Sequence, residues 1–282
     1  MYPSMLERPA WLRVRAPLGK QVEKVTETLD RLGLRTVCRE ACCPNVGECW
    51  REGTATVLIL GGMCTRNCAF CSVAHGTPLP PDPDEPARVA QAVVELGWRH
   101  VVATSVTRDD LPDGGAAQFV SVVREIREKG YGTTVELLVP DFQGNAGALA
   151  SVIDARPDVL AHNVETVPRL YPIVRPQAEY ERSLMLFQRA RSMDPLLMLK
   201  SGLMVGFGES LGEVIATMKD LYGAGCRSLT VGQYLPPFRS HSPVKEYRNN
   251  EFFESVERIA REIGFLRVAS GPLVRSSYKA TP

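Results

Sequence analysis

Eight cysteines are the residues of this 282-residue chain best suited to chemistry, and seven of them fall between 38 and 71. Cys64, Cys68 and Cys71 stand in a C-x3-C-x2-C spacing, in the stretch Cys64-Thr-Arg-Asn-Cys68-Ala-Phe-Cys71. Soft thiolates packed this closely suit zinc or an iron–sulfur cluster, and spacing alone admits both. Three ligands rather than four is informative, because a four-iron cubane held by three thiolates keeps one iron free to bind something else. A second nest, Cys38-Arg-Glu-Ala-Cys42-Cys43-Pro-Asn-Val-Gly-Glu-Cys49, holds four cysteines in twelve residues. Pro44, Asn45 and Gly47 make it turn-rich, so the backbone can fold its thiolates towards one point. Either Cys38, Cys43 and Cys49 or a set using Cys42 could be the ligands. Cys226, alone in Gly225-Cys226-Arg227, reads as a small buried apolar residue.

Such clustering, in a chain long enough to bury its own core, argues for metal in a reducing, cytoplasmic compartment rather than for disulfides. A hydrophobic share of 44% and a charged share of 23% are those of an ordinary globular protein. The formal net charge of +1 gives no electrostatic footprint for nucleic acid or a membrane surface. No apolar run reaches the ~18 residues of a membrane-spanning helix. The stretch 1–20 carries Arg8, Arg13 and Arg15 but no apolar core, so it is not expected to be a secretory signal.

The elements that must position the thiolates follow from periodicity. Within a proline-punctuated arm of ~35 residues, Val22, Val25, Leu29 and Leu32 mark a helix closed by Gly33. A short apolar run, 57–60, leads directly into the Cys64 stretch. Pro78, Pro80, Pro81, Pro83 and Pro86 then forbid regular helix or central strand and predict an exposed extended loop. Helices are expected at 87–96, 116–128, 146–154, 180–192, 211–222 and 251–263. Strands are expected at 101–106, 133–139, 158–161, 196–200 and 228–232. Counting 57–60, about six βα units mean a parallel sheet. A doubly wound sheet and a partial (β/α) barrel both fit, and no G-x-G-x-x-G follows the first strand.

Either architecture puts chemistry just past the strand C-termini. Those positions hold the three cysteines, then Thr107-Arg108-Asp109-Asp110 and Asp113-Gly114-Gly115, then Pro140 and Asp141. They continue with His162-Asn163-Val164-Glu165, Lys200-Ser201-Gly202 and Gln233-Tyr234. Asn163 and Glu165, two apart, can offer an amide and a carboxylate to one ligand, whereas His162 reads as a packed, hydrogen-bonded residue. Arg169, Arg175 and Arg182 are candidates for carboxylate or phosphate contacts. Ser276 and Ser277 sit in a tail that would otherwise read as a frayed end.

Taken together these motifs resemble a known family. Cys64-x3-Cys68-x-Phe70-Cys71 looks like the cluster motif of radical S-adenosylmethionine (SAM) enzymes. Cys38-x4-Cys43-x5-Cys49 and Arg275-Ser276-Ser277-Tyr278 resemble lipoyl synthases. So do Thr104 to Gly115, His162 to Val167, Lys200 to Gly206, Gly232 to Pro236 and His241 to Val244. The resemblance runs from about Arg35 to Tyr278. It implies an α/β fold, a partial (β/α)6 TIM-like barrel of the radical SAM type with N-terminal and C-terminal extensions. The expected regions are an arm with the auxiliary-cluster cysteines at 1–52, the barrel at 53–265 and a tail with a serine ligand at 266–282.

By the same resemblance, Cys64, Cys68 and Cys71 bind a radical-generating 4Fe–4S cluster whose open iron takes SAM. Cys38, Cys43 and Cys49 bind a second 4Fe–4S cluster, with Ser277 as fourth ligand and Ser276 as the alternative. Cys42 stands where the family usually has serine. Asn163 and Glu165 would hold the ribose of SAM, Arg182 its carboxylate, and Phe70 the adenine through its backbone. The implied reaction inserts two sulfurs, at carbons six and eight of a protein-bound octanoyl-lysine, with the auxiliary cluster as sulfur donor. Expected partners are an octanoylated carrier, the glycine cleavage H protein or a 2-oxoacid dehydrogenase acyltransferase domain, and an electron donor such as ferredoxin or flavodoxin. A zinc or nucleic-acid module, an electron-transfer iron–sulfur protein and a biotin synthase relative are the rival classes. The charge balance, the three-thiolate set, and the 38–49 nest with its terminal serines speak against them in turn.

Overall fold

The apolar runs between the helical patterns are short and uninterrupted, as strands covered on both faces require. A computed structural model describes residues 7–12, 14, 17–41, 43–129 and 132–278. After a single 3-10 turn (Ala10–Leu12) come α1 (Lys20–Arg31), β1 (Arg35–Thr36), α2 (Val37–Glu40) and α3 (Val46–Arg51). β2 (Thr54–Ile59) leads into a loop with two short strands, β3 (Met63–Cys64) and β4 (Ala74–His75), before α4 (Glu85–Leu96). The units β5 (His100–Ser105) with α5 (Ala116–Glu128) and β6 (Thr134–Leu138) with α6 (Ala146–Asp154) follow. β7 (Val159–Ala161) precedes the short α7 (Tyr171–Val174) and the longer α8 (Tyr180–Met193). β8 (Met198–Val205) with α9 (Leu211–Gly223), β9 (Ser228–Gln233) with α10 (Asn250–Ile263), and β10 (Arg267–Gly271) complete the chain.

The main sheet runs β1-β2-β5-β6-β7-β8-β9-β10. Among the described residues, only the β1–β2 pair is antiparallel; all the others are parallel and in register. Six βα units therefore run from β2 to α10, and β10 adds a seventh parallel strand in register with β9. The sheet does not return on itself, since β1 and β10 are its two edges. This is the partial (β/α) barrel, one of the two architectures that the alternation allowed.

Two local expectations are corrected. Pro86 does not lie in the extended loop but in the first turn of α4, where its missing N–H costs nothing. The strand expected at 196–200 extends to Val205, so Lys200, Ser201 and Gly202 are mid-strand. Their polarity imitated a loop because they serve the barrel bore. Lys200 Nζ donates to both Glu136 carboxylate oxygens, at 2.8 and 2.9 Å. A Cβ on Gly202 would lie 2.8 Å from Asn163 Oδ1 and 3.0 Å from Thr230 Oγ1, so glycine is what admits the Asn163 side chain.

The turn after β2 aims the chain at the cysteines. Leu60 adopts a left-handed φ of 66°, rare for a branched side chain. Its N–H is taken by the buried Glu85 carboxylate at 2.9 Å, which also accepts from Gln118 Nε2 at 3.0 Å. At the far edge the chain beyond β10 doubles back across β9. A Cβ on Gly232 would lie 2.0 Å from the Val274 carbonyl oxygen.

Gly232→Ala is accordingly expected to cost about 1–3 kcal/mol of stability by overpacking; unfolding in denaturant at the parent midpoint would contradict this packing. Lys200→Met leaves a buried carboxylate without its cation and is expected to cost about 3–5 kcal/mol, most of it recovered by adding Glu136→Leu. Equal stability of the single and double variants in the same titration would refute that coupling.

Candidate functional site

Cys64 ends β3, and β4 brings the chain back beside it, so Cys68 and Cys71 lie in a closed loop. Gly76 N–H donates to Cys64 O at 2.9 Å and Cys71 N–H to Cys68 O at 3.1 Å. The loops beyond the strands grip this ring. Thr65 donates to Thr107 O through both N–H (3.0 Å) and Oγ1 (2.9 Å), and accepts from Asp109 N–H at 3.1 Å. Ala69 N–H donates to Val174 O at 3.0 Å, and Asn67 N–H to Gln177 Oε1 at 2.6 Å. Ser242 N–H donates to Ala69 O at 2.9 Å, and His241 Nε2–H to Cys71 O at 3.0 Å.

Two backbone N–H groups point at Cys64 Sγ, from Arg66 at 3.4 Å and Thr107 at 3.3 Å. Amides aimed at sulfur are what a metal-bound thiolate needs. Burial pushes the Cys68 thiol up, and Cys71 up to about 11. Without compensating positive charge these thiols stay protonated, and a metal supplies that charge. Among the described residues, no three His, Cys, Asp or Glu side chains converge as ligands of a single ion. The donor set, all sulfur and served by amides, fits a cluster whose corners face separate thiolates.

One arginine in this loop escaped the sequence reading. Arg66 is only 5% exposed and is held by two aspartates. Its Nε and Nη2 donate to Asp109 at 2.6 and 2.9 Å, and its Nη1 and Nη2 to Asp141 at 3.0 and 2.6 Å. Burial pushes the guanidinium pKa down, but the two carboxylates outweigh it and hold it above the ordinary value. Burial likewise pushes Asp141 up, and Arg66 more than reverses it, holding the carboxyl well below the usual range. Arg182 approaches Asp141 at 3.4 Å and also pairs with Glu179. The signal was an arginine inside the cysteine spacing, with aspartates after the next two strands.

Past β7, His162 is a packed residue, as expected. Its Nδ1–H donates to Val139 O at 2.8 Å, leaving Nε2 to accept from Ser183 Oγ at 2.9 Å. Burial, with Arg175 nearby, pushes it down to about 4, so it is neutral at pH 7. Asn163 and Glu165 come together, the amide near enough to favour the ionised carboxylate. Glu165 holds a left-handed φ of 65°, and its N–H donates to Gly202 O at 3.0 Å. Strain of this kind in a non-glycine residue persists at sites that use it. Burial pushes the Glu165 carboxyl up despite Arg175, and its charge is felt at Cys68 and Cys71. Arg175 is buried, donating to Asn163 O at 2.9 Å and Val164 O at 3.2 Å. Arg169 faces away, paired with Glu213. Phe70 is partly buried against the core.

The second nest lies across the chain. Cys38 is in α2 and Cys49 in α3, both buried, with Cys43 between them; Cys42 lies outside the described residues. Cys43 N–H donates to Cys38 O at 3.1 Å. The C-terminal tail is seated on this nest. Asn45 Nδ2 donates to Leu273 O at 2.7 Å, and Tyr278 OH to the Glu48 carboxylate at 3.1 and 3.2 Å. The Arg275 guanidinium and the Cys43 thiol act on each other, and Tyr278 N–H donates to Arg275 O at 2.9 Å. Ser276 and Ser277 form the turn between those contacts. Ser72 Oγ donates to Glu40 O at 2.5 Å, tying the Cys64 loop to the nest. Inside the barrel a cavity of about 190 Å³ is lined by Glu136, Lys200, Thr230, Arg267 and Tyr278, among others. Cys226 is buried beneath β8, its thiol pushed up to about 12 by burial, and acts as packing.

Comparison with known proteins bears on the family and the fold. The radical SAM superfamily model matches residues 58–221, and the N-terminal domain of lipoyl synthase of the radical SAM family matches residues 3–43. The lipoyl synthase of Alkaliphilus metalliredigens is 53% identical over 273 residues, covering 97% of this chain and 94% of that one. That of Caldanaerobacter subterraneus subsp. tengcongensis is 53% identical over 275 residues, covering 98% and 96%. Among solved structures, methylornithine synthase superposes with a TM-score of 0.56 at 15% identity, over 86% of this chain and 77% of that one. The FeFe-hydrogenase maturase from Carboxydothermus hydrogenoformans gives 0.60 at 17% identity, over 74% and 51%. These two likenesses concern the fold alone. With full-length identity to its relatives above half, the chain belongs to the lipoyl synthase family of the radical SAM superfamily.

Proposed function

We propose that this chain converts a protein-bound octanoyl-lysine to its lipoyl form, inserting one sulfur at carbon six and one at carbon eight. Cys64, Cys68 and Cys71 hold one 4Fe–4S cluster, and Cys38, Cys43, Cys49 and Ser277 hold the other. Bound there, the first cluster with SAM supplies a carbon-centred radical able to take hydrogen from an alkane, and the second supplies sulfide. The protein's own part is to bind, orient and exclude water. Asn163 and Glu165 stand ready for ribose hydroxyls, and Arg182 for a carboxylate, while Phe70 offers backbone to an adenine ring. Cys68, Cys71 and Glu165 are half-buried, which limits the solvent around a reactive radical.

The observation that carries this reading is the tail seated on the nest, through Asn45–Leu273 and Tyr278–Glu48. It supports a three-region organisation, with an arm at 1–52, a barrel at 53–265 and a tail at 266–282. The clustered thiols fit a reducing, cytoplasmic setting. Among the described residues, no helix is long and apolar enough to cross a membrane. The partners are an octanoylated H protein or acyltransferase domain and a low-potential donor such as ferredoxin or flavodoxin.

Reconstituted protein with SAM, dithionite and an octanoyl-lysine peptide is expected to give a product carrying two added sulfurs by mass. SAM cleavage with no sulfur in the peptide would sink the proposal. A hard serine oxygen is a poorer match for iron than thiolate, so Ser277 is a ligand suited to letting go. Ser277→Cys is therefore expected to keep both clusters by iron content yet slow the first insertion, by ~10-fold as changes around a metal typically do. An undiminished rate in single-turnover assays would refute that role.

A further inference from the structure

We propose that Arg66 is a positioning residue that sets the reduction potential of the cluster at Cys64, by holding two backbone N–H groups on the Cys64 sulfur. This rests on the cluster assignment proposed above. Arg66 lies between the first two cysteines, and its own N–H is one of the two donors to Cys64 Sγ, at 3.4 Å. The other, Thr107 N–H at 3.3 Å, belongs to the segment that Thr65 and Arg66 staple in place. A guanidinium is planar, and here its edges are taken by two carboxylates on different loops, Asp109 after β5 and Asp141 after β6. That fixes the plane of the side chain and, through a buried stem, the backbone from which the N–H points.

The arrangement is unlike a surface ion pair. The Arg66 side chain is 4% exposed and that of Asp141 is 0% exposed, with only Asp109 open to solvent at 26%. Two aspartates against one arginine leave a net negative charge beside the cysteines, partly offset by Arg182 at 3.4 Å from Asp141. Charge alone would make the cluster harder to reduce. Hydrogen bonds to its sulfur make it easier, since they stabilise the added electron. The two effects have opposite signs, so one substitution tells them apart.

Asp109→Asn removes a negative charge and half of the clamp. If only charge matters, the potential rises; if the clamp aims the donors, it falls. Arg66→Lys keeps the charge but loses the planar, two-edged grip. The measurement is a potentiometric titration of the full-length, reconstituted protein, following the EPR signal that changes when SAM is added, with iron and sulfide assayed beside it. Both variants are expected to shift to more negative potential while keeping parent iron content. A potential unchanged or raised in Asp109→Asn overturns the proposal, and it decides alone should Arg66→Lys lose iron. A parent protein without a SAM-responsive signal overturns the cluster assignment itself, and this inference with it.

Discussion

A parallel sheet that stops before closing leaves two edges with unpaired backbone, and something else in the chain must join them. Here β1 and β10 are those edges. The helices α2 and α3 pack on β2 at one side, and the tail leaves β10 at the other. Side-chain contacts bridge the gap, among them Asn45 to Leu273 O and Tyr278 to Glu48. The residues they join are more than two hundred positions apart, and each belongs to a segment too short to hold its shape alone. Closing the seam is thus also what assembles the second nest, because Cys43 gains Arg275 as a neighbour only when the tail is in place.

Buried charge recurs in the molecule, each time as a geometric device. Glu136 is pushed up by burial but pulled below its ordinary value by Lys200 and His100, so it stays ionised inside the barrel. Asp141 does the same against Arg66. Pairs like these contribute little net stability, since desolvating two ions costs about what their attraction returns. What they provide is direction: a charged group that cannot be left alone fixes the position of its partner. Lys200 with Glu136 orients the bore side of β8 and β6, and Arg66 with its aspartates orients the Cys64 loop over β5 and β6.

Most of the scaffold was legible from periodicity. The helices at 116–128 and 146–154 are found at those bounds, and the six-unit rhythm is the observed one. The lost features share a cause, which is polarity turned inwards. In β8 a lysine followed by serine and glycine looks like a loop, although all three are needed inside a barrel. An arginine between cysteines, as Arg66 is, looks like solvent-facing filler until Asp109 and Asp141 arrive from other strands. Pairings that form only when the chain closes, such as Tyr278 with Glu48, have no local signal at all. The candidate cysteines, by contrast, stand out because residue type and short spacing carry their chemistry, and the candidates Asn163 and Glu165 because they follow a strand end.

The two cysteine sets differ in how firmly the fold holds them, and that difference bears on the proposed function. The Cys64 loop is fastened by backbone bonds to Thr107, Val174 and Ser242 and by the Arg66 clamp, so its shape is fixed before any metal arrives. The Ser276–Ser277 turn hangs between two seam contacts and the close passage over Gly232. That turn is held only while the tail is seated, with Val274 buried and Tyr278 packed against the core. A cluster that must survive every turnover belongs in the first setting. On the proposed reading, a cluster that gives up sulfide would sit in the second, where Ser277 would arrive as a ligand only when the tail closes the seam.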